Sequence, residues 1–338
     1  MKYLHLVILL LLSSQSFGQI KDTIYFLNNS ILVGKLKKIN LGKIEFDGDG
    51  IGIVNIKYDK VKTIKANSHL YRIETTAKKI LNGTIENAAN AGRVLLITDT
   101  GNVEIKLSNI TTLSYYGQNW KLSLRGSLGA GYSYTKSSNI GRLNFNGRLK
   151  YVNRKTELEL TANTIITTDS TGTYRERENM ELSDNYLINY NFYAGVFLRY
   201  QRSIELGLLR RWQEGSGLGY NFIQRKHSIG KSITGLVVNQ ETNFDHQQNN
   251  SLEWVAQGSY AFFSFSKPNI SLSTSQTIYT SFTQKGRIRY DGDVKINWEP
   301  ITDFGLEFNY YYNYDKKSPA TKSAKSDNGF VAGLNYKF

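Results

Sequence analysis

Few residues of this chain could carry covalent chemistry. Its 338 residues include four histidines and no cysteine, which excludes disulfides, thiolate metal sites, a cysteine nucleophile and a lipoprotein anchor. An outer-membrane phospholipase needs a serine activated by a histidine on the lipid-facing side, and His227 with Ser228 is the candidate pair. Neighbouring residues of a strand point to opposite faces, and this pair lies beside a predicted turn. We therefore expect a turn histidine and no enzyme; unchanged lipid turnover after His227→Ala would end the lipase alternative.

Carboxylates recur at a spacing of two residues, which places both members of a pair on one face of a strand. Asp291 and Asp293 form one such pair, and Glu157 and Glu159 form another. Because Arg and Lys are plentiful on the same faces, we expect ion pairs here and no metal. No glycine-rich phosphate loop follows a strand and opens a helix, so we expect no cofactor.

Charged residues after Trp120 alternate with apolar residues in long segments. This pattern predicts that the charged residues line the lumen of a membrane barrel. The predicted lumen-lining residues are Arg125, Arg142, Arg148, Lys150, Glu157, Glu159, Arg199, Arg289, Asp291, Asp293, Lys295 and Glu307.

The elements that would position these side chains are about twelve strands, each of about ten alternating residues, the length that a tilted strand needs to cross hydrocarbon. Aromatic residues such as Tyr132, Trp254 and Trp298 fall toward strand ends, as in interfacial girdles. The predicted strands lie near 121–134, 141–152, 156–167, 177–190, 192–203, 207–222, 228–239, 250–262, 269–282, 286–298, 303–315 and 328–338.

Three charged residues fit this pattern badly. Asp184, Glu214 and Lys231 fall on the presumed lipid face. A lysine at mid-bilayer costs roughly 2–4 kcal/mol, and an acid costs less. These residues must therefore lie near a rim, or the predicted register between Leu206 and Thr234 is wrong.

The first residues read as a secretory signal. Lys2 precedes the apolar run Leu4–Leu12, and small residues at Ser16 and Gly18 predict cleavage before Gln19. The run is too short to span a bilayer, and no later segment is long and apolar enough, so a membrane-crossing chain must use strands. We expect residues 1–18 to be a signal peptide, 19–119 a periplasmic module and 120–338 a barrel in the outer membrane of a Gram-negative bacterium.

The charge of the chain agrees with a membrane partner. Its formal net charge is +14, but Lys and Arg are scattered among Asp and Glu, so a nucleic-acid stripe is not expected. Tyrosines outnumber phenylalanines, 23 to 16, which suits a boundary between lipid and water. The expected partners are outer-membrane lipid and lipopolysaccharide.

The leading module contains a repeat. Offsetting the chain by forty-nine residues without a gap pairs Gly34 with Gly83, Gly52 with Gly101, and the alternating run from Val54 with that from Val103. This favours a duplicated small β-unit. Such modules resemble SH3-like or Sm-like barrels, and a structural plug or platform is favoured over a binding role, although a periplasmic partner stays open. The predicted fold class is thus all-β: a duplicated small β-module followed by a transmembrane antiparallel β-barrel of about twelve strands.

The last strand carries a further signal. Leu334, Tyr336 and Phe338 share one face, and a terminal strand ending in phenylalanine resembles the signal read by the barrel-assembly machinery. With Gly217–Phe222 and the turns of the leading module, it makes the mature chain resemble the salt-induced outer-membrane proteins of the YdiY type, a domain-of-unknown-function family. The resemblance implies a fold and a location and carries over no catalytic residue.

Two functions stay nearly level at this point. A barrel of eight strands has an interior filled by side chains, and one of sixteen or more encloses a water-filled channel. A barrel of about twelve strands lies between these sizes, which favours a narrow pore or small-solute channel. The alternative is a non-conducting envelope protein whose leading module binds a periplasmic partner. Alternation cannot decide between them, because it does not reveal how the lumen is packed.

Overall fold

The computed structural model describes residues 21–117, 123–137, 139–204, 207–264, 269–301, 304–317 and 325–336. The predicted signal peptide, residues 1–18, lies outside the described residues. The described chain forms two antiparallel sheets, one before and one after the junction near 119, and its only helices are short 3₁₀ turns. None of these described helices has the length and hydropathy to cross a membrane.

The leading module is a sheet of nine strands in which the predicted duplication recurs element by element. Strands β4 and β8, and the 3₁₀ turns Tyr58–Lys60 and Leu107–Asn109 that follow them, lie forty-nine residues apart. The strands are β1 Asp22–Phe26, β2 Ile31–Asn40, β3 Lys43–Gly48, β4 Gly52–Lys57, β5 Val61–Thr75, β6 Ile80–Asn87, β7 Arg93–Thr98, β8 Gly101–Lys106 and β9 Ile110–Tyr116.

The predicted offset of forty-nine residues without a gap is wrong for one pair of equivalent strands, β3 and β7. Strand β7 lies fifty residues after β3, so the buried Ile44 and Phe46 of β3 correspond to Val94 and Leu96 of β7. A one-residue difference in the loops absorbs the shift and keeps the apolar side chains facing inward.

The two units, residues 21–67 and 68–117, share one core. The last strand of each pairs with its own first strand and also with the second strand of the other unit, as Ile39 pairs with Leu113 and Ala66 with Ile85. Buried side chains of both units, including Ile24 and Ile73, form one hydrophobic cluster.

The second sheet has twelve strands, each antiparallel to the next in chain order, which confirms the predicted number. They are β10 Leu124–Thr135, β11 Ile140–Val152, β12 Thr156–Asp169, β13 Gly172–Leu187, β14 Phe192–Ser203, β15 Leu208–Arg225, β16 Ser228–Asn243, β17 Gln248–Ser264, β18 Asn269–Ser281, β19 Ile288–Ile301, β20 Phe304–Asp315 and β21 Ser326–Tyr336.

This sheet curls around its polar face as a β-barrel. Phe197 of β14 packs against a cluster of Val237, Val255 and Tyr279 from β16, β17 and β18. Within the described ranges the ladder ends at β10 and β21. Outer side chains of these two end strands include the most exposed ones of the barrel, as with Leu334 at 77%.

Candidate lumen and its cover

The strand register places all twelve predicted lumen-lining residues on one face of the barrel sheet. Arg125 lies opposite Lys150, and Lys150 lies opposite Glu159; beyond the centre of the sheet, Asn297 lies opposite Glu307. Because alternate residues share a face, the other predicted residues follow from the same ladders. The opposite face carries the exposed apolar side chains.

The three charged residues that fitted the predicted alternation badly lie in different positions in the barrel. Lys231 lies on the inner face opposite Asn221, together with the apolar Ile233 and Val237 of the same strand; its predicted lipid-facing position is wrong, because apolar residues of β16 also face inward. Asp184 is on the outer face three residues before the end of β13, and is therefore near a rim. Glu214 is on the outer face in the middle of β15, so the expectation of a rim position is wrong for this residue.

The far half of the interior, away from the module, is filled by a charged cluster. Arg287 is 1% exposed and donates hydrogen bonds to Glu241 at 3.2 Å and to Asp315 at 2.6 Å. Arg211 binds the same Glu241 at 2.8 Å. Buried ion pairs of this kind hold their geometry only when each partner is present, because an uncompensated buried charge is costly.

The near half of the interior encloses a cavity of about 290 Å³ at the junction with the module. Its wall is mostly barrel, including Glu157, Arg199 and Lys231, and the module contributes Arg72 and Glu74. The cavity therefore exists only where the module meets the barrel mouth.

The second unit of the module contacts this mouth through two side chains, Arg72 and Glu74. Arg72 donates to the carbonyl oxygen of Asn153 at 3.2 Å and to Glu157 at 3.0 Å, while Gln224 donates to Glu74 at 3.2 Å. Sequence reasoning missed Arg72 and Glu74, because no local pattern shows which part of the module meets the barrel.

Further contacts surround the mouth. Lys226 in the turn after β15 donates to the hydroxyl of Tyr58 at 2.7 Å, and Arg154 in the turn after β11 binds Asp99. The module therefore bridges turns on several sides of the opening.

The two residues of the candidate lipase pair have different neighbours. His227 lies in the turn between β15 and β16 and packs beside Gly42 and Tyr58, while the hydroxyl of Ser228 accepts a hydrogen bond from Tyr260. The absence of an enzyme stays a prediction.

Sequence reasoning missed a second serine–histidine pair. The hydroxyl of Ser68 lies 2.7 Å from Nδ1 of His69, on β5 of the module. Burial, aided by the charge of Lys35, lowers the pKa of His69 to about 4, which makes its ring a weak base. This contact does not activate the serine at neutral pH.

His69 gives the module a pH dependence. The unfolded chain binds a proton on this histidine near pH 6.5, whereas folded His69 binds it only near pH 4. The contribution of neutral His69 to the free energy of unfolding is therefore fully present above about pH 6.5 and is lost as the pH falls from 6.5 to 4. Since the ring is partly exposed, we expect a loss of about 1 kcal/mol in the unfolding free energy at pH 4.5. Hydrogen exchange of the module amides in the full chain would measure it. His69→Gln should reduce this loss, and an identical pH profile in both proteins would contradict the assignment.

One of the two predicted carboxylate pairs, Glu157 and Glu159, binds cations of the protein. Lys150 and Arg72 bind Glu157, and Arg148 binds Glu159 at 2.7 Å. In the described ranges no group of three or more metal-ligating side chains occurs.

Part of the predicted assembly signal is described. Leu334 and Tyr336 lie on the outer face of β21 and are 77% and 66% exposed. Phe338 lies outside the described residues.

Comparison with known proteins yields a family. A family described as "Protein of unknown function, DUF481" matches residues 128–338, in agreement with the predicted resemblance to a domain-of-unknown-function family. No curated protein matches the chain at a significant level.

Two solved structures share a weak likeness. One, titled "NanC porin structure in rhombohedral crystal form", is 10% identical with a TM-score of 0.37 and covers 63% of this chain and 99% of its own. The other, OccK11 (OpdR) of Pseudomonas aeruginosa, is 11% identical with a TM-score of 0.31 and covers 79% of this chain and 83% of its own. At these TM-scores neither supports an argument about this chain.

Proposed function

Because the chain belongs to the DUF481 family, whose function is unknown, its role has to follow from its own structure, and we propose that it is a narrow outer-membrane pore covered at its periplasmic mouth by its own leading module. The observation that carries the proposal is the shared cavity, whose wall includes Arg72 and Glu74 of the module together with barrel residues.

The two faces of the barrel sheet support a membrane position. Leu128, Leu160 and Leu198 point outward and remain 73%, 39% and 40% exposed, while the inner face is polar and charged. A sheet with apolar side chains outside and charges inside suits lipid and not water. The signal peptide expected at residues 1–18 and the candidate assembly strand support the outer membrane.

A path for solutes follows the less packed side of the interior. On β11, the inner side chains of Arg142 and Arg148 are 54% and 64% exposed, in contrast to the buried cluster around Arg287. The proposed path runs along β10–β12 and ends at the module. Movement of the module away from the mouth would open it.

Reversible cross-linking of the module to the barrel tests this function. Asp99 and Arg154 are in direct contact across the mouth, and the chain has no cysteine, so Asp99→Cys with Arg154→Cys supplies the only two thiols. In planar bilayers we expect small channel openings from the unmodified full-length protein, their loss after reaction with a cleavable thiol cross-linker, and their return after reduction.

Single-cysteine variants treated with the same reagent serve as the control and should keep their openings. If the native chain shows no conductance and reduction of the cross-linked protein produces none, the pore is ruled out.

The second candidate is a closed envelope barrel. The buried cluster of Arg287, Glu241 and Asp315 and the apolar contact of Phe197 with Val237 fill much of the interior. This candidate predicts no conductance from the native or the module-released protein.

A further inference from the structure

The first unit of the module exposes an apolar surface. Five large side chains of this unit are between 39% and 61% exposed. They are Leu27, Ile31, Val33, Ile51 and Ile53, here called the apolar patch. Isolated exposed apolar residues are common, but five large ones in a unit of fewer than fifty residues indicate a partner.

The fold does not require these side chains, because the second unit does without them. At the positions forty-nine residues later, where the same strands and turns recur, four of the five are polar. These equivalents are Thr76, Ile80, Asn82, Thr100 and Asn102. The difference between two units that share one fold indicates a role at the surface.

The apolar patch lies on the face of the module that is turned toward the barrel. Lys35 pairs with Asp47, and Asp47 pairs with Ile53, so these three side chains lie side by side on one face of the sheet. Val33 shares this face, because it lies two residues before Lys35. Val33 and Ile53 of the apolar patch are therefore parts of one surface with Lys35.

Contacts at the mouth fix the direction of that surface. Lys43, also on this face, lies 3.4 Å from the ring centroid of Phe263 in the barrel. Lys35 lies 5.5 Å from the ring centroid of Tyr115, and Arg125 of β10 lies 4.4 Å from the same ring. Val33 and Ile53 of the apolar patch continue this face at and beyond Lys35, away from Lys43.

The lipid boundary of the barrel begins at the same place. Leu124, next to Arg125 in β10, points to the outer face and is 42% exposed. A surface that extends beyond β10 while facing the barrel would therefore meet the membrane around it.

The charge of the first unit selects the lipid. Residues 20–67 contain nine lysines and five carboxylates, whereas residues 68–117 contain five basic and four acidic side chains. Apolar side chains surrounded by lysines are typical of surfaces that bind anionic membranes. The same excess of positive charge disfavours a second copy of this unit as the occupant.

We propose that the apolar patch docks into the inner leaflet of the membrane around the barrel and prefers anionic phospholipid headgroups. This rests on the proposed position of the barrel in a membrane. Docking would hold the first unit beside the barrel rim and fix the module at the mouth.

Fluorescence quenching by labelled lipids tests the proposal on the full-length protein. Because the native chain has no cysteine, Ile53→Cys and Leu128→Cys each give one site for an environment-sensitive dye. The proteins are placed in phosphatidylcholine vesicles containing phosphatidylglycerol and lipids that carry a quencher at a shallow or a deep position. We expect deep quenching at residue 128, shallow quenching at residue 53, and weaker quenching at 53 when phosphatidylglycerol is omitted.

The second unit supplies matched substitutions. Leu27→Thr, Val33→Asn and Ile51→Thr install its residues, and together they should lower the ratio of docked to undocked label at residue 53 by about tenfold or more. Asn102→Cys, at the equivalent position, should be quenched less than Ile53→Cys.

The outcomes separate the two proposals. Absence of quenching at residue 128 would overturn the membrane barrel itself. Quenching at 128 with a water-exposed label at 53, or equal quenching at 53 and 102, would overturn the lipid docking alone. A signal at 53 that depends on protein concentration would indicate a second copy, and would also overturn it.

Discussion

Replacing Arg287 by alanine is expected to destabilise the barrel by about 2–3 kcal/mol, because Glu241 keeps Arg211 but loses its second cation, and Asp315 loses the buried guanidinium to which it binds. Urea unfolding in detergent micelles, followed by tryptophan fluorescence or by the mobility of unheated protein in gels, would measure the loss. Expression and membrane insertion are checked in the same gels, since an unfolded variant migrates as the boiled protein does.

Arg148→Ala is the matched control. Arg148 also binds a carboxylate of the inner wall, Glu159 at 2.7 Å, but its side chain is 64% exposed. An exposed pair contributes at most about 1 kcal/mol. Equal losses from the two substitutions would show that water reaches both sites alike, and the far half of the lumen would then be open.

Replacing Arg72 by glutamate is expected to release the module from the barrel mouth. The new carboxylate would face Glu157 and Glu74 in place of the present hydrogen bond to Glu157 and the ion pair with Glu74. If the free energy of contact between module and barrel falls by about 2 kcal/mol or more, the ratio of covered to uncovered mouths falls by about thirtyfold. We expect a matching rise in channel open probability in planar bilayers.

Arg93→Glu provides the comparison for this change. Arg93 pairs with Glu104 within the module at 3.6 Å, so its reversal alters the module charge equally without touching the barrel. The gating role of Arg72 would be refuted by equal open probabilities in the two variants. If neither variant conducts, the closed envelope barrel is the better account.

The barrel was predictable because each strand repeats one physical constraint. An apolar residue at every second position fixes the outer face, and the predicted segment 192–203 coincides with β14, Phe192–Ser203. The failure at Lys231 has a definite cause: Ile233 and Val237 face the interior on the same side of β16, so the apolar residues of this stretch do not mark the outer face.

The cover of the lumen could not be predicted in the same way. Arg72 of β5 and Glu157 of β12 are far apart in sequence, and their contact depends on how two separately folded sheets meet. Lumen packing has the same origin, since Arg287 reaches Glu241 from another part of the barrel wall. Alternation reports which face a side chain occupies, and it carries no information about what lies opposite.

The exchange of strands between the two halves of the module has a consequence for folding. Ile39 pairs with Leu113, so the end of β2 lacks one of its partner strands until β9 has been synthesised, although β1 and β3 can pair with β2 earlier. Until then the end of β2 is an open strand edge and part of the shared core is uncovered. Because β10 begins only a few residues after β9, the module completes its hydrogen bonding only when the first barrel strand is about to follow.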